Sequence, residues 1–223
     1  DVFFHLGRSY HYAENIDSAR YNYEQFLLKS SKKSELIPVV KMRLEQLITA
    51  ERLIAQKTDI VFRNIGKNVN TKYPDYSSVI SFDGSALYFT SRRPWYNGES
   101  EAFKDPKIDQ YPEDVYVSYL DFDSTWTEPV RLQFCEPNAN EATIAVSVDE
   151  RRIYVYDDSK GGGDLYFSDF KNSKFRELAH LDNSSINTPF WEPHCMVSND
   201  GKFLFFSSDR PGGFGGLDIY YST

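Results

Sequence analysis

Two cysteines and four histidines among 223 residues leave little material for cross-links or metal chemistry. Cys135 and Cys195 lie far apart, and Cys195 sits inside the apolar run Cys195-Met196-Val197, so both are expected to be buried and free rather than disulfide-bonded. His5, His11, His180 and His194 are scattered, with no His-Glu-x-x-His pair and no carboxylate at ligand spacing, so the sequence signals no metal site and no cofactor. The Gly-x-Ser-x-Gly elbow of serine hydrolases is also missing. No apolar run reaches the roughly 20 residues of a membrane-spanning helix. No charged-then-apolar leader opens the chain, and a helix is already under way at its first residues; either a leader has been removed or more chain precedes Asp1. Basic residues are outnumbered, 25 against 33 acidic, and they form no stripe that could track phosphates, which excludes nucleic acid as a partner.

Turn signals and aromatic strands are plentiful. The stretch Trp191 to Ser222 runs from Cys195-Met196-Val197 through the turn Ser198-Asn199-Asp200-Gly201 into Phe203-Leu204-Phe205-Phe206. It then passes a Pro- and Gly-rich loop and returns as Leu217-Asp218-Ile219-Tyr220. The same order recurs upstream. The first copy has Ser77 to Ile80, the turn with Asp83 and Gly84, Leu87 to Thr90, and Glu113 to Ser118. The more worn middle copy has Thr143 to Val146, the turn with Asp149, Ile153 to Tyr156, and Asp164 to Ser168. A period of roughly 50 to 65 residues with three or four strands per unit is that of β-propeller blades. Tyr and Phe alternate within these strands and are expected to fill the packing between blades.

Residues 1–58 read differently. Phe3, Leu6, Gly7 and Tyr10 fall on one helical face, and after a break at Asn15-Ile16-Asp17 the residues Ala19, Tyr23, Phe26 and Leu27 form a second stripe. A third helix is expected from about Glu35 to Ala55, capped by Ser34, with Pro38 in its first turn and Val40, Leu44, Leu47 and Ile54 facing inward. This part carries nine Lys/Arg and seven Asp/Glu, a net of +2, so the chain's total of −8 leaves −10 on residues 59–223. The expected fold is therefore α plus all-β, a helical segment at 1–58 joined to an incomplete propeller of about three four-stranded blades at 59–223. Ile60 to Ile65 is expected as a strand ahead of the first repeat, in the place that Val130-Arg131-Leu132 and Phe175 to Leu178 hold before the next two, and so suited to closing the ring.

The helical pattern, with small Gly7 and Ala19 between large aromatics, resembles the tetratricopeptide repeat, although Phe26 and Ser31 stand where that family usually has a small residue and a proline. The motifs Ser-x-Asp-Gly-x-x-Leu-x-Phe-x-Ser-x-Arg and Ser207-Ser208-Asp209-Arg210-Pro211-Gly212-Gly213-Phe214-Gly215-Gly216-Leu217-Asp218-Ile219-Tyr220 resemble TolB-type, WD-like propeller repeats. Together with Val69-Asn70-Thr71 and Ile186-Asn187-Thr188, the arrangement is similar to Bacteroidetes outer-membrane-associated lipoproteins of the OmpA family, including the PorE-like proteins of type IX secretion and gliding. That resemblance implies a non-catalytic interaction scaffold on the periplasmic side of the outer membrane, with other cell-envelope proteins as partners. Peptidoglycan binding is implied only through a C-terminal domain that these residues do not include. An envelope hydrolase whose propeller this is, or a glycan- or peptide-sensing protein, are the alternatives.

Within the repeats, Asp83, Gly84, Asp149, Asp200 and Gly201 are expected to be structural turn residues. The Gly212 to Gly216 loop lacks the Gly-Lys-Ser/Thr ending of a phosphate cradle. The first repeat has a long loop from Pro94 to Pro112, and Arg92, Arg93, Trp95, Tyr96, Phe103 and Tyr111 have the composition of interface anchors unless the aromatics fold back over the blade edge.

Overall fold

A computed structural model describes residues 2–56, 58–95, 104–105, 107–159, 162–181 and 184–223. The chain divides into two compact units, Asp1–Phe62 and Arg63–Thr223.

The first unit is three helices, α1 Val2–Tyr12, α2 Ile16–Lys29 and α3 Leu36–Ala55. Asn15 caps α2 by accepting the Ser18 amide at 3.1 Å, which is why the chain breaks there. Phe4, Ala19, Tyr23, Phe26, Val40 and Leu47 form the core. Gly7 is required by its neighbour, because a Cβ there would lie 2.6 Å from the Tyr23 ring. That contact sets the rotation of α1, burying Phe4 while Leu6 and Tyr10 stand exposed, contrary to the face expected from periodicity. Ile54 is likewise exposed, lying in the last turn of α3 beyond the packed stretch. Ser34 accepts the Leu36 amide at 3.4 Å, but the residue at the cap is Glu35, which makes no side-chain cap.

The second unit contains three antiparallel sheets in chain order. The first is β1 Asp75–Ile80, β2 Ala86–Ser91, β3 Asp114–Tyr119 and β4 Val130–Arg131. The second is β5 Glu141–Val146, β6 Arg152–Asp157, β7 Asp164–Lys171, β8 Lys174–Phe175 and β9 Ala179–His180. The third is β10 Cys195–Val197, β11 Leu204–Ser208 and β12 Asp218–Ser222. Meanders of this kind, repeated side by side, are a partial propeller, and no α-helix occurs among the described residues after 70.

Aromatics and branched residues bond the sheets face to face. Ala86, Tyr88, Val115 and Val117 of the first meet Ile153, Val155 and Phe175 of the second, and Tyr154 and Leu165 of the second meet Cys195 and Phe206 of the third. The positions that sheet one buries as Tyr88, Val115 and Val117 recur in sheet three as Phe205, Ile219 and Tyr221, all exposed, so that face lies open.

Two strand expectations are corrected. Ile60–Ile65 forms no strand, and Ile60, Val61 and Phe62 are exposed, because no sheet edge among the described residues pairs with its backbone. The fourth strand of sheet two is β9, whose His180 and Ala179 pair with Tyr166 and Phe167 as Arg131 and Val130 pair with Tyr116 and Val117. Phe175, expected in that role, instead belongs to a hairpin that turns at Asn172 and Ser173, both at positive φ, and it packs against sheet one.

Candidate functional site

The three turns repeat atom for atom. Ser81, Ser147 and Ser198 donate their hydroxyls to Asp83, Asp149 and Asp200 at 2.8, 2.7 and 2.6 Å. Each serine oxygen also accepts the amide five residues on, from Ala86, Arg152 and Phe203. Amide and hydroxyl donors hold all three carboxyls below the ordinary aspartate value, led by the Ser85 amide for Asp83 and by the serine hydroxyls for Asp149 and Asp200. Positive φ falls on Gly84, Glu150 and Gly201, so the worn middle copy puts a glutamate in a glycine's conformation.

A second device links the strands of sheets one and three. In sheet one Asp75 accepts the Ser91 hydroxyl at 2.6 Å and Arg93 Nη2 at 2.9 Å, while its other oxygen takes the Thr71 amide at 2.7 Å. Arg93 continues to the Val69 carbonyl at 3.0 Å and lies over the Phe89 and Tyr116 rings. In sheet three Glu192, Ser208, Arg210 and Thr188 repeat this set, with Arg210 donating to the Ile186 carbonyl at 2.7 Å and lying over Phe206 and Tyr220. The guanidinium thus neutralises a buried acid and ties down the segment entering the sheet.

Of the six residues expected as interface anchors, Arg92, Arg93, Trp95 and Tyr111 fall into this framework. Arg92 pairs with Glu113 and donates to the Tyr111 carbonyl at 2.7 Å. Trp95 donates Nε1 to Asp114 at 2.8 Å and is covered by the Arg131 guanidinium. Tyr111 is buried against Tyr73. Arg93, Trp95 and Tyr111 therefore face into the blade rather than outward, because buried carboxylates and rings on neighbouring strands offer them partners. Tyr96 and Phe103 lie outside the described residues.

A cleft of about 260 Å³ opens where the three sheets meet, around the starts of β1 and β5 and the approach to β10. Tyr76 donates to Glu113 at 2.5 Å, and Arg92 holds the same carboxylate. Across the cleft Trp191 Nε1 donates to the Tyr156 hydroxyl at 3.2 Å, and Asn140 bonds Asp158 at 3.0 Å. Burial, then the Glu113 carboxylate, raises the Tyr76 phenol, and burial raises Tyr156, so both remain neutral donors. Trp191 and His194 are exposed at its rim. The cleft is thus lined by polar groups already held in hydrogen bonds. Sequence reasoning missed Tyr76, Glu113 and Tyr156, which look like ordinary strand residues; Trp191-Glu192-Pro193 was the one visible signal.

Beneath sheet two, Asp114, Cys135 and Glu141 come together, one ligand-type atom of each lying within 4.8 Å of the others. Burial raises the Asp114 carboxyl to about 7 against the pull of Arg131 and Trp95, and burial raises Glu141 to about 9 with help from Asp114 and Asp157. Cys135 and Cys195 are both free and buried, and burial raises both thiols, Cys195 to about 12, so neither is an activated nucleophile.

No family model and no curated relative matches this sequence. Among solved structures it is similar to TolB from Acinetobacter baumannii, at 18% identity over 65% of this chain and 29% of that one, TM-score 0.40. It is similar as well to a putative TolB from Agrobacterium tumefaciens, at 17% identity over 64% and 40%, TM-score 0.42. A puromycin-hydrolyzing peptidase from Mycobacterium tuberculosis follows, at 17% over 69% and 20%, TM-score 0.38. The chain spans between 20% and 40% of these chains' lengths. The partial-propeller reading rests on the chain's own strand registers. No described helix is long and apolar enough to cross a membrane.

Proposed function

We propose that this chain is a non-catalytic protein–protein interaction scaffold, in which a tetratricopeptide-type helical hairpin is joined to a TolB-type partial propeller. Its place is the periplasmic side of the outer membrane, as part of a peptidoglycan-associated lipoprotein of the type IX secretion and gliding group, with other envelope proteins as partners. The observation that carries the reading is the cleft between the sheets. Its side chains are already paired, Tyr76 and Arg92 on Glu113 and Trp191 on Tyr156, which leaves a shaped polar surface with an exposed tryptophan and no phenol poised to take a proton.

The test is site-specific photo-cross-linking in the full-length protein in its own cells, with the probe at Trp191 and, as a comparison, at the exposed Tyr21 of α2. Adducts from position 191 to a defined envelope protein, lost when Arg92→Ala opens the Glu113 network, are the expected result. Adducts from position 21 alone move the interface to the helices. Turnover of peptide or ester substrates by the purified chain, lost on Glu113→Gln, would overturn the non-catalytic reading.

A further inference from the structure

Sheet two is built on the same register as its neighbours but lacks their arginine. Ser91 and Ser208, at the ends of β2 and β11, correspond to Asp157 at the end of β6, since each pairs across to the first residue of the next strand, Asp114, Asp218 and Asp164. Two residues on, Arg93 and Arg210 correspond to Ser159. The buried acid is conserved in place: Glu141 follows Cys135 by the six residues that separate Asp75 from Val69 and Glu192 from Ile186. One oxygen behaves as in the sister sheets, Glu141 Oε1 accepting the Glu136 amide at 3.1 Å. The other, Oε2, which in the sister sheets would meet serine and arginine, is buried with no hydrogen-bond partner among the described residues, on a side chain that is 1% exposed.

The space left by the missing side chain is a cavity of about 330 Å³, bordered by Glu141, Asp157, Glu136 and Glu177, by Cys135 and Tyr166, and by no Lys, Arg or His among the described residues. We propose that sheet two binds a divalent metal cation beside the place that its neighbours give to a guanidinium, with Glu141 and Cys135, which line this cavity, and Asp114 of sheet one, which clusters with them, as protein ligands.

Three independent features converge on this. The ligand atoms lie within 4.8 Å of one another, just beyond the roughly 4.6 Å that two ligands at about 2.3 Å can span, so a small side-chain adjustment brings them onto one ion. The orphaned Glu141 oxygen has the acceptor capacity that such an ion uses. The sister sheets show that the same position holds positive charge when the sequence supplies it. A donor set of two carboxylates and a thiol selects an ion of the zinc class over calcium or magnesium. Binding releases to solvent the protons carried by Cys135, Glu141 and Asp114. Arg131, seated over Trp95, acts on Asp114 and Cys135 as a counter-charge when the ion is absent.

The whole chain, stripped with chelator, is titrated with zinc, calcium and guanidinium chloride while uptake and melting temperature are followed. One equivalent of zinc, with a rise of about 5 °C or more at saturation, is expected. Glu141→Gln and Cys135→Ser each weaken uptake at least tenfold. The double change Asp157→Ser with Ser159→Arg, which rebuilds the clamp of the sister sheets, folds and abolishes the response. No stoichiometric uptake, or uptake that survives all three variants, overturns the proposal. A melting response to guanidinium with none to metal also overturns it, since the hole then fits an arginine from elsewhere. A misfolded Glu141→Gln leaves Cys135→Ser and the double variant to give the same reading.

Discussion

Sheets one and three set an arginine on their buried acid, whereas sheet two sets nothing on an acid held at the same place in the same register. The three meanders share turn chemistry and the antiparallel pairing of their first strands, so the missing arginine can be compared at one place in each. Where Arg93 and Arg210 are present, a guanidinium sits on the carboxylate and the entering segment is tied by its carbonyls. Where Ser159 replaces them, Glu141 is pushed up to about 9, and the blade depends on protonation or on a cation from outside. Repeats that look interchangeable as topology are therefore unequal as electrostatic environments.

The largest effect should come from turning an outer sheet into the middle one. Arg210→Ala leaves Glu192, whose side chain is fully buried, without its cation, and is expected to cost about 3 to 5 kcal/mol in urea unfolding. A loss near zero would show that the clamp is not a stabilising unit.

Acid and base should act oppositely on the two kinds of sheet. Asp75 is buried, yet hydrogen bonds from Ser91, Arg93 and Thr71 hold it below its ordinary 3.8, so its contribution is full above that value and is lost as pH falls through the lower folded value. Glu141, raised from 4.5 to about 9, contributes fully below 4.5 and loses its contribution as pH rises through about 9. Chelated protein should therefore become less stable between pH 5 and pH 9 through Glu141 together with Asp114, and Glu141→Gln should make that slope shallower; thermal melts across this range, with an unchanged slope in the variant, would refute the assignment.

Smaller effects sharpen the same comparison at the turns. Gly84→Ala meets open space but keeps φ at +77°, and is expected to cost about 1 kcal/mol. Glu150→Gly relieves the same conformation in the worn turn and should gain less than about 1 kcal/mol. Asp83→Ala and Asp200→Ala should each lower the melting temperature slightly through the lost serine and amide bonds, with no change in cleft cross-linking.

Much of the scaffold is readable from sequence because it is local. Ser81, Asp83 and Gly84 make their bonds within five residues of one another, and a strand that pairs through such a turn has its register fixed by it. Asn15 ends one helix and starts another by the same short reach. The missing arginine was also legible, since Ser-x-Arg at 91–93 and 208–210 becomes Asp-x-Ser at 157–159. Its consequence was not, because nothing in the string says that Glu141, 16 residues earlier, is the acid that this position serves.

The sequence by itself determined the alternation of helices then meanders, the three hairpin turns and the aromatic filling of the sheets, all of which depend on period and on neighbours a few residues away. Only the tertiary structure decided which face of α1 is buried, that Trp95 and Tyr111 turn inward, and that Asp114, Cys135 and Glu141 share one space. Those outcomes depend on which helix or sheet lies against which. Strand pairing brings together residues 18 to 27 positions apart as closely as chain neighbours, as with Arg93 on Asp75 and the Glu113 amide on Asn140, and the physical chemistry of a buried charge is set by that distance rather than by the separation along the chain.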